Sequence, residues 1–548
     1  MVLRRSGTLL ALILLLSAHI LAAPAKKAPR RPNLALQIKT ILAQEPLARA
    51  HWGIHVVELG SGRVLYSQNA DQLFLPASNA KLFTTAAVLS LAGPEYRFRT
   101  TVEAEGKIDS TGRLQGDLVI MGRGDPNISG RVLPYALKTE RAPPHTQVLE
   151  EMANQVAASG LKIVAGDLIG DDTFYSPERY GPGWAQDDLQ WIDGAPVSAL
   201  TFNDNVVFLN IQPGEHDGDK ALVTIEPETS YYEIDSRIVT TAAGVSRKIG
   251  MHREAGSKRV VLWGTLPLGD PGMKEALAVD DPAQLTAELF RGMLEQRGIA
   301  VTGKARARHG EIGEFHEPPT QQPDTPNSPV PGAAPLNPAQ GTQPAQCCRP
   351  ENPPPTQAAP RVVLAEHTSL PLIEDVRVIN KTSQNLHAEL ALRLAGKLHA
   401  TGGSFAGGSA AVRWFLLQAG LKEDDFLLLD GSGLSRRDLV APVAVVQLLV
   451  YAARQPWGTA FEGTLPVAGV DGSLSERFSN SPAAGLVYAK TGTLSHVNAL
   501  SGYGWTLQGR RFAFSIFCNN HNLQSAKVLA AIDEIVKLLV NEGDRARR

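Results

Sequence analysis

Cysteine is nearly absent, with Cys347, Cys348 and Cys518 the only three in 548 residues. Three cysteines cannot make a disulfide framework, and none has the setting of a catalytic thiol. Cys347 and Cys348 are adjacent, so a bridge between them requires a strained ring; a partner elsewhere or the free state stays open. Cys518 closes the apolar run Phe512 to Phe517 and reads as a small buried hydrophobe. Charge of one sign is also missing: 53 Lys and Arg stand against 55 Asp and Glu, spread along the chain. That excludes the concentrated basic face of a nucleic-acid binder. A membrane-length apolar run is missing too. The stretch Leu9 to Leu16 is far short of the roughly 20 residues a span needs. Arg4 and Arg5 precede it and Ala22, Ala23 and Ala25 follow, so residues 1–25 read as a secretory signal peptide. No cysteine follows to carry a lipid. The expectation is an exported protein starting near Ala23 to Lys26, periplasmic in a two-membrane envelope, with no integral membrane segment after cleavage.

What is present points to several domains, since 548 residues exceed one compact core. Leu34 to Leu47 has helical apolar spacing. Trp52 to Leu65 reads as two strands around Gly60-Ser61-Gly62. Good helix formers run from Ala80 to Leu91 and stop at Gly93-Pro94. Residues 100–310 have another texture: short alternating runs split by Gly, Asp and Pro, with a helix from Gln284 to Gln296. This is β-rich inserted material, of a length that suits two small domains. Residues 311–360 form a proline-rich linker, and 318–360 alone hold 14 of the chain's 37 prolines. Such a segment buries too little apolar surface to offset its ordering entropy and reads as a disordered spacer. From Arg361 the chain is globular again, with helices Leu386 to Leu398, Ala410 to Ala419 and Pro442 to Tyr451. Strands Gly485 to Lys490, Ala499 to Leu507 and Arg511 to Cys518 precede a last helix, Ser525 to Val540. Antiparallel strands closed by a terminal helix should pair with the strands near Trp52. Residues 26–99 and 361–548 would then be two parts of one α/β domain built from both chain ends.

Three short strings carry the chemistry. In Ser78-Asn79-Ala80-Lys81, on a helix, serine and lysine share a face. A neutral lysine can take the hydroxyl proton, provided burial depresses its pKa. Ser383-Gln384-Asn385 follows Asn380-Lys381-Thr382 on what reads as a loop, presenting a hydroxyl and an amide together. Lys490-Thr491-Gly492 ends the strand Leu486 to Ala489 and is followed by Thr493. Its lysine and hydroxyl can hold a carboxylate, and its glycine lets a peptide lie against the strand edge. The amides of Thr493 and Ser78 can form an oxyanion hole. Singly, each string is weak; a chain this long holds about one or two Ser-x-x-Lys strings by chance. Together and in this order they are a known trio of penicillin-reactive serine enzymes.

The chain resembles the low-molecular-mass penicillin-binding proteins of the D-Ala-D-Ala carboxypeptidase/endopeptidase type, peptidase family S13. Leu75-Pro76-Ala77-Ser78-Asn79-Ala80-Lys81-Leu82 is similar to the family's nucleophile region. Gly124-Asp125-Pro126, Gly166-Asp167, Pro182-Gly183-Trp184 and Asp187-Asp188 resemble its inserted domains. Asp430-Gly431-Ser432-Gly433-Leu434-Ser435-Arg436 is a further family-like string. More than 300 residues separate the first motif from the second, which is the family's mark. The resemblance implies a penicillin-binding/β-lactamase-like transpeptidase fold with β-rich insertions. It implies that Ser78 is acylated, Lys81 is its base, Ser383 and Asn385 assist, and Lys490 and Thr491 hold the terminal carboxylate beside Gly492 and Thr493. It implies peptidoglycan stem peptides as substrates and β-lactams as inhibitors. It also points to Asp188, with Asp187 second, as the partner of a diaminopimelate amino group, and to Arg436 as the partner of a carboxylate on that side chain. No cofactor is implied, and the 13 scattered histidines form no metal set; His496 lies near the third motif and reads as structural. Two other readings compete. A non-catalytic wall scaffold predicts erosion of a motif residue, and none is eroded. A β-lactamase or esterase needs an efficient water-activating group, which the sequence does not present.

Overall fold

The computed structural model describes residues 33–135, 141–311 and 361–542. The leader, Cys347, Cys348 and all but the first residue of the proline-rich linker lie outside the described residues.

The two ends of the chain meet in one antiparallel sheet of five strands. Its order is Val487–Leu494, Val497–Trp505, Arg511–Asn519, His51–Glu58, Val64–Gln68. Trp52 pairs with Cys518 and Ile54 with Ile516, so the ladder joins residues more than 450 positions apart. Side chains alternate across the central strand. Phe512, Phe514, Ile516 and Cys518 face the helices Leu34–Leu42 and Ser525–Val540, with Ile38, Ile532 and Ile535 fully buried between them. Ala513 and Phe517 face the other way, toward Ala80–Ala92, Asn385–Leu398 and Pro442–Ala452. Cys518 is buried as expected, and burial pushes its thiol up to about 12.

The helix Ala80–Ala92 is apolar nearly all round and buried from Ala80 to Leu89. A helix of that composition belongs inside a domain, and here it is the axis on which the site is built. The leading helix is shorter than its apolar spacing predicted: it ends at Leu42, capped at its start by Asn33, and a separate short turn covers Leu47–Arg49.

The insertion is three sheets around one continuous apolar core that includes Leu118, Leu168, Val207, Leu209, Val260 and Leu262. The largest sheet has seven strands, some of them parallel, and carries the helices Gln147–Ala158 and Pro282–Gln296. Its edge strand is Arg361–Thr368, paired with Arg99–Ile108. By sequence this strand falls beyond the linker, yet by hydrogen bonding it belongs to the insertion's sheet. Among the described residues, no helix is long and apolar enough to cross a membrane.

Candidate active site

Ser78 sits in a 3-10 turn, Ala77–Asn79, that feeds directly into the helix Ala80–Ala92. The sequence places Ser78 at the head of the helix; the regular helix begins two residues later, but serine and lysine still share a face. Ala77 takes a left-handed backbone, φ 48°, an uncommon state for a residue with a Cβ. Gly433 packs on this turn so closely that a Cβ there would lie 1.9 Å from the Ala77 carbonyl oxygen. Only glycine permits the contact.

Lys81 is fully buried and donates three hydrogen bonds: to Ser78 Oγ at 2.9 Å, Asn385 Oδ1 at 2.6 Å and the Ser432 carbonyl at 2.7 Å. All three acceptors are neutral. Burial lowers the amine to about 8, while the more distant charges of Asp430, Glu389 and Asp193 pull it back up. Three acidic side chains lie behind these contacts, and sequence reasoning missed them. Glu389 accepts from the Gly431 and Ser432 amides at 2.9 and 2.8 Å. Asp430 accepts from the Gly433 and Ser435 amides, each at 2.7 Å, and from the Trp184 indole at 2.8 Å. Asp438 accepts from the Leu429 amide at 2.8 Å. Burial, reinforced by Asp430, pushes Glu389 up to about 8 and raises Asp438 well above the carboxylate range. The available signal was the spacing Asn385, Glu389, Arg393, which puts three polar groups on one buried face of a helix.

The second motif sits where the helix Asn385–Leu398 begins, so Asn385 is the first helical residue rather than a loop residue. Ser383 has φ 64°, which turns its hydroxyl toward Lys490 Nζ, 2.9 Å away. Asn385 Nδ2 donates to the Asp193 carbonyl of the insertion at 2.9 Å. Gln384 points the other way and donates to Asp204 Oδ2 at 2.8 Å.

Lys490-Thr491-Gly492 does not end its strand. The strand runs Val487–Leu494, with Gly492 still in register opposite Ala499, and the reversal is made by Ser495 and His496. His496 takes the left-handed backbone, φ 67°, and its ring contacts the His521 carbonyl at 2.8 Å, which holds the turn. This strand is outermost in its sheet; Pro466 to Ala468 bond its start at Val487 and Ala489, and the side beyond them is open to an added strand. A Cβ on Gly492 would lie 2.8 Å from Asn79 Nδ2 and 3.0 Å from the Pro76 carbonyl, so glycine is what lets the strand approach the serine turn. Lys490 is fully buried, and burial together with the Lys81 charge holds its pKa well below the ordinary range. Thr491 Oγ1 is 2.7 Å from Ser473 Oγ, and Thr493 Oγ1 accepts from Asn498 at 3.3 Å.

The insertion reaches the site through its tryptophan loop. Ser435 Oγ donates to the Pro182 carbonyl at 2.7 Å and the Arg436 amide donates to the Gly183 carbonyl at 3.1 Å. Asp188 closes the short turn Gln186–Asp188 and is half-buried. Burial and Asp187 raise its pKa, and Arg436 opposes the rise through space. Arg436 is exposed and donates to the Ser495 carbonyl at 3.1 Å. Thus Ser78, Lys81 and Asn385 form one hydrogen-bonded group and Ser383 and Lys490 a second, with Thr491 and Gly492 on the facing strand and Asp188 and Arg436 at the rim.

Known proteins resemble this chain in sequence and in fold. The sequence model of the D-Ala-D-Ala carboxypeptidase 3 (S13) family matches residues 34–313 and 349–541. A D-alanyl-D-alanine carboxypeptidase of Actinomadura sp. (strain R39) is 34% identical over 533 residues, 95% of this chain and 87% of that protein. D-alanyl-D-alanine carboxypeptidase DacB of Haemophilus influenzae is 26% identical over 502 residues, 89% and 90% of the two chains. The crystal structure of penicillin binding protein 4 from Haemophilus influenzae matches the fold with a TM-score of 0.72 at 22% identity, over 92% of this chain and 99% of that one.

Proposed function

Because this chain belongs to the D-Ala-D-Ala carboxypeptidase 3 (S13) family, we propose that it removes the terminal D-alanine of peptidoglycan stem peptides through an acyl-enzyme on Ser78. The observation that carries this reading is the 2.9 Å contact between Ser78 Oγ and a Lys81 amine lowered to about 8. A lysine with that pKa is partly neutral near pH 7, so it can accept the serine proton without a histidine.

The peptide lies as an added strand along the edge from Lys490 to Leu494, the part that Pro466 to Ala468 leave open. Lys490 and Thr491 take its terminal carboxylate, which supplies the counter-charge that burial denies Lys490. Gly492 keeps the strand surface flat, and the amides of Ser78 and Thr493 receive the carbonyl oxygen as it becomes an oxyanion. Ser78 Oγ bonds to the carbonyl carbon of the penultimate D-alanine while Lys81 takes the proton. The C–N bond then breaks, and Ser383, tied to Lys490, relays a proton to the leaving amine. Asn385 holds Lys81 in place. Water attacks the ester, the acid leaves, and Ser78 regains its proton. Asp188 and Arg436 at the rim pair with the amino group and carboxylate of a diaminopimelate side chain. A β-lactam presents a carbonyl and carboxylate to the same groups and acylates Ser78. The apolar leader directs the chain to the cell-wall compartment where this substrate is found.

Labelling with a fluorescent penicillin tests the nucleophile. Wild type should be labelled and Ser78→Ala should not. Labelling that survives in Ser78→Ala, or folded wild type that neither labels nor releases D-alanine from a pentapeptide, would overturn the reading.

A further inference from the structure

A cavity of about 810 Å³ lies where the tryptophan loop meets a three-stranded sheet of the insertion, and the carboxypeptidase reaction leaves it unused. Tyr180, Gln186, Asp187 and Gln190 line it from the loop, His252 and Arg253 from the end of the strand Lys248–His252. Asp187 thus faces the cavity from the same short turn that carries Asp188 at the rim of the active site. Gln190 Oε1 accepts from the Arg253 amide at 3.1 Å and ties the two walls together. The Arg253 side chain is only 2% exposed, reaches Asp280 at 3.5 Å, and has an Nε with no hydrogen-bond partner among the described residues. From His252 the wall continues onto an aromatic plate. Gly250, two residues earlier on the same face of the strand, stands opposite Trp263 of Arg259–Pro267. A Cβ on Gly250 would lie 2.4 Å from two carbons of the indole, so the ring rests across the glycine, and Trp263 is 47% exposed. On the same face Arg237 and Arg259 share Asp235 at 2.7 and 2.6 Å. Along cavity and plate three guanidiniums, Arg237, Arg253 and Arg259, balance three carboxylates, Asp187, Asp235 and Glu254. A polyanion gains nothing there. The chemistry suits a neutral ring that bears hydroxyl and amide groups: the C–H face of a pyranose stacks on the negative face of an indole, and its polar groups bond to the surrounding side chains.

We infer that the cavity and Trp263 form a saccharide subsite, which holds the glycan strand that carries the stem peptide. The inference rests on the reading of Ser78 and Asp188 above. With the penultimate D-alanine at Ser78 and the diamino acid at Asp188, two residues and a lactyl link remain before the first N-acetylated hexosamine. Such a segment spans about 10 Å when extended. The first sugars therefore lie just past the turn Gln186–Asp188, where the cavity opens, and the next ones reach the indole. Once the stem is attached, the sugar's own carboxyl is an amide, so the ligand is as neutral as the site.

The test compares D-alanine release from a free pentapeptide with release from the same pentapeptide carried on a tetrasaccharide of the glycan, using the full mature chain. Calorimetry with glycan oligomers stripped of peptide measures the subsite without turnover. In wild type the sugar should raise kcat/KM about tenfold, through KM, and the ratio should hold as salt is added because the ligand is neutral. In Trp263→Ala the ratio should fall toward one and the stripped oligomers should no longer bind; Trp263→Tyr, which keeps an aromatic face, should retain most of both. Equal release from the two substrates, no binding of the stripped oligomers, or a ratio untouched by Trp263→Ala overturns this inference alone. So does a ratio that collapses with salt, or self-association through Trp263 in place of glycan binding. Failure on both substrates overturns the reading of Ser78.

Discussion

Two buried charges lie on either side of the second motif, and they are held in opposite ways. Under Ser78 a single ammonium, Lys81, has three acidic side chains behind it, yet touches only neutral acceptors: a hydroxyl, an amide oxygen and a backbone carbonyl. Behind Ser383 a single carboxylate, Asp204, is bound directly by two guanidiniums, an imidazole and the Gln384 amide. Burial dominates the first and brings Lys81 down to about 8. Direct partners dominate the second: Asp204 stays well below the ordinary carboxylate range although it is fully buried. The amine proposed as the base for Ser78 is kept one layer away from every carboxyl group. A charge that stays fixed, because it anchors Gln384 between Ser383 and the helix that opens at Asn385, is paired outright.

Removing each charge should therefore do opposite things. Lys81→Met should lower penicillin acylation by about a thousandfold, since a general base is worth roughly 10²–10⁴. It should leave the melting temperature unchanged or raise it, because an apolar side chain of similar size relieves a desolvation cost. Asp204→Asn should instead strand two buried guanidiniums and cost about 3–5 kcal/mol of stability. Parallel acylation rates and thermal melts on both variants check the contrast; a large loss of stability in Lys81→Met would break it.

The pH dependence of stability sharpens the same contrast. Asp204 has a folded pKa below its unfolded value of about 3.9, so its contribution is complete above that pH and is lost as pH falls further. His387 is raised, so its share is complete below about 6.5 and is lost as pH climbs past its folded value. Urea midpoints should fall more steeply below pH 4 in wild type than in Asp204→Asn; parallel profiles would remove Asp204 as the anchor.

A smaller effect belongs to Glu389. Glu389 is itself pushed up to about 8, so it is charged mainly above that pH; there its charge raises the Lys81 pKa, and Glu389→Gln should shift the pH midpoint of acylation downward by less than about one unit. No shift would mean that the acidic layer does not reach Lys81. The smallest change is expected at the rim. Asp188→Asn should weaken kcat/KM about fivefold for stem peptides with a free diaminopimelate amine, and leave penicillin labelling intact.

The three motifs were legible because their chemistry is local: serine and lysine lie within one turn, and the lysine-threonine-glycine string sits on a strand. Their meeting was legible from the pairing of Trp52 with the C-terminal strands. The left-handed turn Asn203, Asp204 and Asn205, with φ 51°, 55° and 57°, was not legible. It places a carboxylate next to Gln384 from 180 residues away, and no periodicity announces such a contact. The acidic layer under Lys81 was hidden for the same reason, since Glu389, Asp430 and Asp438 read singly as ordinary charged residues. The course of Lys490-Thr491-Gly492 was misjudged because glycine usually weakens a strand, whereas here the close approach of Pro76 and Asn79 requires it.

The central claim is that burial without a direct ion pair sets Lys81 as the base for Ser78. The second-order rate of Ser78 acylation by a β-lactam, measured from pH 6 to pH 10, tests it most directly. The rate should rise with a single midpoint at about 8 and then level off. A flat profile, or a rise still climbing at pH 10 as for an ordinary lysine, would contradict it.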